Sequence, residues 1–412
     1  MNVQKRAIQR QLQLGNLAQT EKYVDELVQG QVTSGRPDLA AKSLCDLAKD
    51  AKDLGYADYQ LTWSDKAREL SPGDPFAHTQ FADALLGNGD LPRALAVYES
   101  TVRDFPQDVV ARTGNAEVLK ALGRLPDALT AYEYTVRDFP QDVVARNGKA
   151  EVLKALGRLP EALAAYESTV RAFPQDVVAR TGKAEVLKAL GRLPEALAAY
   201  ESTVRDFPQN AVARTGNAEV LKALGRLPEA LAAYESTVRD FPQNSVARNG
   251  QASIFVRMGR YQEAEALVAT QQTQTRDEWV ALLILATIKL KLGKLGEAEK
   301  LFAKGAGCLW ADLKSRFVAA QAVLLMDKKQ LSEAGVLIQT ERSLESKVVQ
   351  IDIYRRMNRI SDAKKVLLEL SDCKVASIIE ISRDLERNMG PGPKTISNEK
   401  FVEREIEMLM AA

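Results

Sequence analysis

Prolines recur every 34 residues through this chain: Pro72, Pro106, Pro140, Pro174, Pro208 and Pro242. A second series keeps the same step from Pro92 through Pro126, Pro160 and Pro194 to Pro228. Between the prolines the sequence nearly copies itself. Segments 177–210 and 211–244 differ only in Val177 against Ala211 and Lys183 against Asn217. A fixed period of this length implies one small helical unit stacked many times, because such a unit cannot cover its own apolar face and must lean on its neighbours. It also points to a binding surface and away from a catalyst. Carboxylates repeat with the period, so none is singled out for acid–base work.

Residues 109–142 serve as one unit. Asp142 and its equivalents Asp108, Asp176, Asn210 and Asn244 sit where a helix should begin, and their short oxygen-bearing side chains suit an N-cap. The first helix carries Ala111, Gly114, Val118 and Leu122 at helical spacing, with Ala116 and Leu119 beside them. Gly123 is placed to end it with positive φ. Pro126 then opens a second helix, where its missing N–H does no harm. Asp127, or Glu161, Glu195 and Glu229 in other copies, follows at the positive end of the helix dipole. Ala128, Leu129, Tyr132, Val136 and Phe139 make its buried stripe, and Pro140 stops it. Each unit is therefore a helical hairpin, with small residues allowing close approach and large ones filling the gaps.

The 34-residue step, Ala116, Gly123, Ala128, Tyr132 and Pro140, repeated in register at least five times, resemble the tetratricopeptide repeat. The resemblance implies an all-α, right-handed superhelical solenoid of about eleven hairpins. Two departures stand out. Arginine (Arg112, Arg146, Arg180, Arg214, Arg248) replaces the family's large aromatic early in helix A, and Asn115, Lys149, Lys183 or Asn217 replaces a leucine. The head of helix A should then pack loosely, or through arginine stems.

Four zones follow. Residues 1–74 are divergent capping hairpins, with a turn near Gly15 and a unit at about 41–74. Residues 75–244 are five near-consensus units. Residues 245–375 are divergent hairpins marked by Gly259 with Ala264, Gly293 with Ala298, Ala334 and Ala363. Residues 376–412 hold a terminal helix, a Gly390-Pro391-Gly392-Pro393 linker and an amphipathic tail helix with Val402, Ile406 and Leu409 on one face. The tail suits docking in a groove of this chain or on another subunit, or simple terminal packing. The segment Trp279–Leu292 is apolar nearly all round. Either it is buried in the solenoid or it forms a subunit or partner interface through Trp279 and Leu283.

The tetratricopeptide resemblance places the inner, concave wall on helix A. Carried over by position, it points to Thr113, Glu117, Lys120 and Ala121, then Asn147, Glu151, Lys154 and Ala155. Thr181, Glu185, Lys188 and Ala189 come next, followed by Thr215, Glu219, Lys222 and Ala223. Glutamate and lysine three apart can pair on one helix. In 245–278 this ladder changes to Ser253, Val256 and Arg257, a chemically distinct spot where selective binding could begin. The lysine and asparagine pattern of the family's chaperone-tail binders is absent, so such tails are not expected.

Little else in the sequence suggests chemistry. His78, the only histidine, takes the arginine position and lacks metal-site or triad partners. No P-loop, dinucleotide fingerprint or HExxH is present. No cofactor or metal is expected. With 56 basic and 55 acidic residues the net charge is +1, which gives no electrostatic reason to expect nucleic acid or an anionic membrane as partner. Cys45, Cys308 and Cys373 lie far apart without paired spacing, as expected of reduced thiols in a cytoplasmic protein. The longest apolar run, Trp279 to Ala286, is too short to span a bilayer. The expected function is a non-enzymatic protein–protein scaffold with a protein or peptide partner. The alternative is an assembly or sensing arm that controls an effector or self-associates through its C-terminal helices.

Overall fold

A computed structural model of the chain describes residues 3–268 and 275–370, leaving out 329, 340 and 342. Cys373, the Gly390–Pro393 linker and the tail residues Val402, Ile406 and Leu409 therefore lie outside the described residues. Within them are 22 α-helices, one short 3-10 turn and no strand. Numbered in chain order, they run from α1 (Val3–Gln13) to α22 (Ile360–Leu368) and pair into eleven hairpins. The fold is an all-α array of tandem hairpins. It divides into two compact units between Phe207 and Pro208.

Local chemistry builds each hairpin of the first unit. In α7 (Val109–Ala121), Asp108 Oδ1 accepts from the Ala111 N–H at 2.7 Å, capping the helix. Gly123 closes α7 at φ 73°, a backbone state that costs other residues steric strain. Pro126 lies in the first turn of α8 (Leu125–Asp138). The acid of that turn has a second use beyond the dipole: Arg124 Nε donates to Asp127 at 2.8 Å, and in the next copy Arg158 grips Glu161 through two bonds of 2.7 and 2.6 Å.

Stacking depends on one pair of residues. The ring of Tyr132 in α8 lies against Gly148 in α9 (Val143–Ala155), so close that a Cβ there would fall 2.3 Å from Cζ. Tyr98 on Gly114 and Tyr166 on Gly182 repeat the arrangement within this unit. The glycine of helix A is therefore a socket for the tyrosine of the preceding helix B. At the N-terminal end, Ile8, Leu12, Leu44, Leu47 and Trp63 form a separate buried cluster. The expected boundary at about residue 41 moves upstream: α3 (Pro37–Asp53) starts at Pro37, two residues after Gly35 at φ 71°.

In the second unit, α13 (Ala211–Ala223) and α14 (Leu227–Asp240) keep the same caps and turn, and Tyr234 fills the socket at Gly250. Beyond α15 (Ser245–Arg257) the packing becomes apolar. Helix α17 (Arg276–Lys291) starts with a capping box between Thr275 and Glu278 and is buried from Ala281 to Ile288. Trp279 meets Phe317 of α19 (Ala311–Asp327) edge-on at 5.9 Å. In the last hairpin Asn358, at φ 58°, takes the place that glycine holds in earlier turns.

Candidate interaction surface

The ladder positions lie on one face of each helix A, and most of their polar groups are already satisfied within the chain. The Thr113 hydroxyl donates back to the carbonyls of Val109 and Val110, at 2.9 and 3.0 Å. Thr181 and Thr215 do the same in their own helices. Lys120 pairs with Glu117 on its own helix at 2.7 Å and with Glu151 of the next copy at 3.2 Å. Lys154 reaches forward to Glu185 at 2.7 Å. The glutamates and lysines thus zip successive repeats together and do not merely pair along one helix. Burial works against the Lys120 cation, but the bonds to Glu117 and then Glu151 outweigh it and hold its pKa above the ordinary lysine value. The Tyr132 hydroxyl donates to Glu117, and the Asn147 amide donates to Asp176 at 2.9 Å. Lys188, Glu219 and Lys222 are engaged as well.

The valines that precede these rungs are not covered. Val110, Val144 and Val178 in the first unit, and Val212 and Val246 in the second, are 40–57% exposed. They stand three residues before Thr113 and its equivalents, on the same helical face. Sequence reasoning passed over them, although the signal was there: each is a valine outside the buried stripe, repeated with the period.

At the head of helix A the arginines make a clamp, the second of the two expected arrangements. Arg112 lies over the Phe139 ring at 5.2 Å, donates to the Pro106 carbonyl at 2.7 Å and pairs with Asp138 at 2.7 Å. Arg180 repeats this with Phe207 and Asp206, and Arg214 with Phe241 and Asp240. Arg146 keeps its ring contact with Phe173 and its bond to the Pro140 carbonyl, but the carboxylate position is Ala172. His78 is the first member of the series, with Nε2 3.0 Å from the Pro72 carbonyl and its ring beside Phe105.

The ladder changes character in the second unit. A cavity of about 300 Å³ opens on the helix A faces of α13, α15, α17 and α19. Ser253 lines it, and Arg257 is exposed nearby on α15. Val256, expected on the surface, is buried because the α15 face turns into the apolar core there. Trp279 and Leu283 are likewise core residues, 6% and 4% exposed, so neither offers a ready interface. Val246, Val280, Ile284 and Leu313 form the apolar wall of the cavity, and Arg316 enters from α19. Among the described residues no group of three or more His, Cys, Asp or Glu side chains could hold a metal ion. None of the described helices is long and apolar enough to cross a membrane.

Comparison with known proteins agrees with this geometry. The family model for the tetratricopeptide repeat matches residues 79–143, 113–177, 147–211, 181–245 and 215–277. No curated protein matches the chain in sequence. Among solved structures, the human IFIT1 dimer with m7Gppp-AAAA is 16% identical, with TM-score 0.53 over 88% of this chain and 88% of that one. A tetratricopeptide repeat protein from Parabacteroides merdae is 18% identical, covering 57% of this chain and 93% of its own at TM-score 0.48. A thermophilic repeat protein of Thermus thermophilus is 25% identical, covering 44% and 99%, at TM-score 0.40.

Proposed function

We propose that this chain, which belongs to the tetratricopeptide repeat family, is a non-enzymatic scaffold that holds a protein or peptide segment against its helix A faces. The observation that carries this reading is the exposed valine series, Val110, Val144 and Val178, beside rungs whose charges are neutralised within the chain. Repeated apolar contact next to a self-satisfied polar ladder suits a partner that lies along the repeats and gains by excluding water. The uniform copies 75–244 then act as a repetitive wall, and selectivity begins in 245–375, where the rungs diverge. The buried Cys45 and Cys308, free of disulfides, fit a cytoplasmic setting.

The test is affinity capture from the native host with the wild-type chain beside Val110→Glu/Val144→Glu/Val178→Glu. These exposed side chains can change without touching the core. Partners that disappear in the variant support the reading; the same partners recovered by both proteins would refute it. Nucleic acid is disfavoured by the charge balance alone. The IFIT1 structure contains m7Gppp-AAAA, but a likeness at 16% identity carries only the fold. A single-stranded oligoadenylate therefore belongs among the probes.

A further inference from the structure

We infer that the cavity on α13, α15, α17 and α19 is an anchor for a protein segment that sets a side-chain carboxylate beside an apolar side chain. The inference rests on the scaffold reading above and names the chemistry of its partner. Five charged groups line the cavity: Glu219, Lys222, Arg276, Asp277 and Arg316. Four of them have partners in the chain. Arg276 pairs with Asp312, and Asp277 accepts from the Ser245 hydroxyl at 2.5 Å. Glu219 and Lys222 are engaged too. Arg316 alone is left without an ionic or hydrogen-bonded partner among the described residues, and it is half-buried.

A half-buried guanidinium beside apolar side chains favours an anion, because the apolar wall strengthens the charge and a carboxylate matches its forked donors. Those walls are supplied by Val246, Val280, Ile284 and Leu313, which leaves room beside the carboxylate for a Leu- or Phe-sized group. Val246 is itself one of the exposed valines of this second unit, with Val212, so the cavity opens on an exposed helix A face of that unit. RNA fits less well. One uncompensated cation cannot follow a run of phosphates, and the aromatic ring lining the cavity, Tyr234, is buried against Gly250 and offers no face for stacking a base.

The experiment is selection of a random dodecapeptide phage library on the full-length protein, followed by fluorescence polarisation with the most enriched synthetic peptide and, separately, a single-stranded oligoadenylate. Enriched sequences should carry Asp or Glu within two residues of Leu, Ile, Val or Phe. Arg316→Glu should weaken the peptide by about 10-fold or more, and Arg316→Lys should retain part of the affinity. Ser253→Tyr, which fills the cavity and leaves the guanidinium in place, should weaken it comparably and stands in if Arg316→Glu does not fold. Peptides that lack acids, or that bind the Arg316→Glu and Ser253→Tyr proteins unchanged, would overturn the anchor and leave the scaffold reading standing. No enrichment at all would remove both. Oligoadenylate binding that Arg316→Glu abolishes would replace the carboxylate with phosphate and overturn the inference.

Discussion

Gly148→Ala tests how these repeats are locked together. In an ordinary helix interior this exchange stabilises by roughly 0.5–1 kcal/mol, because alanine loses less backbone freedom on folding. At Gly148 the new Cβ would stand 2.3 Å from Cζ, 2.4 Å from Cε1 and 2.7 Å from Oη of Tyr132. Carbon atoms in contact need about 3.5–4.0 Å, so the ring or the helix must retreat by about an ångström. The ring has little room, since Tyr132 is fully buried and its hydroxyl is held by Glu117. Overpacking of this kind costs about 1–3 kcal/mol, and set against the propensity gain the expected net loss is about 1–2 kcal/mol. Tyr132→Leu removes the three clashing atoms. In that background Gly148→Ala should become neutral or stabilising, a change of sign worth about 2 kcal/mol of coupling. Urea unfolding followed by circular dichroism gives the four midpoints. Hydrogen exchange over 143–176 shows whether the loss is local, as stacked repeats allow. A Gly148→Ala protein stabilised in both backgrounds would refute the socket.

Three further outcomes follow from the same packing. Ala172→Asp should give Arg146 the carboxylate that Arg112, Arg180 and Arg214 possess, raising stability by about 0.2–1 kcal/mol in low salt, a gain that roughly 1 M salt erases; an unchanged midpoint would show that the aromatic contact alone holds the arginine. The Cys45 thiol is pushed up to about 11 by burial, with Asp74 and Asp46 adding to it, so the neutral thiol is favoured by folding; that contribution is complete below the ordinary thiol value and is lost as pH rises through about 11. Iodoacetamide at about pH 8.5 should therefore label Cys45 far more slowly in the native than in the urea-unfolded chain, as read by mass spectrometry. Glu161 is held below its ordinary 4.5 by the hydrogen bond from Arg158, so its contribution is present above that value and is lost as pH falls through the lower folded one; Arg158→Ala should return the Glu161 titration, followed by carboxyl NMR, towards 4.5.

Much of this fold was legible because its determinants are local. The cap at Asp108, the turn at Gly123 and the entry at Pro126 act over a few residues, and the period announced that neighbours must stack. The boundary at Pro37 was missed where the repeat had decayed and only a proline after a glycine marked the helix start. The candidate surface was read less completely. Its polar rungs could be located by position, but Val110 and its copies were passed over, Val256 was placed on the surface, and of the two readings open for Trp279 and Leu283 the structure selects burial.

The sequence by itself determined the hairpin, the number of its copies and the residues that begin and end each helix, since hydrogen bonds and backbone sterics within one unit suffice for these. Only the tertiary structure decided what meets between helices: Tyr132 in the socket of Gly148 and Lys120 on Glu151 across units, and Arg112 between Phe139 and Asp138 within one. It also placed Arg316, without a partner among the described residues, beside the apolar wall of a cavity. The two ion pairs among these contacts join residues 26 and 31 positions apart. Their geometry depends on how neighbouring helices cross and approach, which a periodic pattern of apolar residues requires to happen but does not specify.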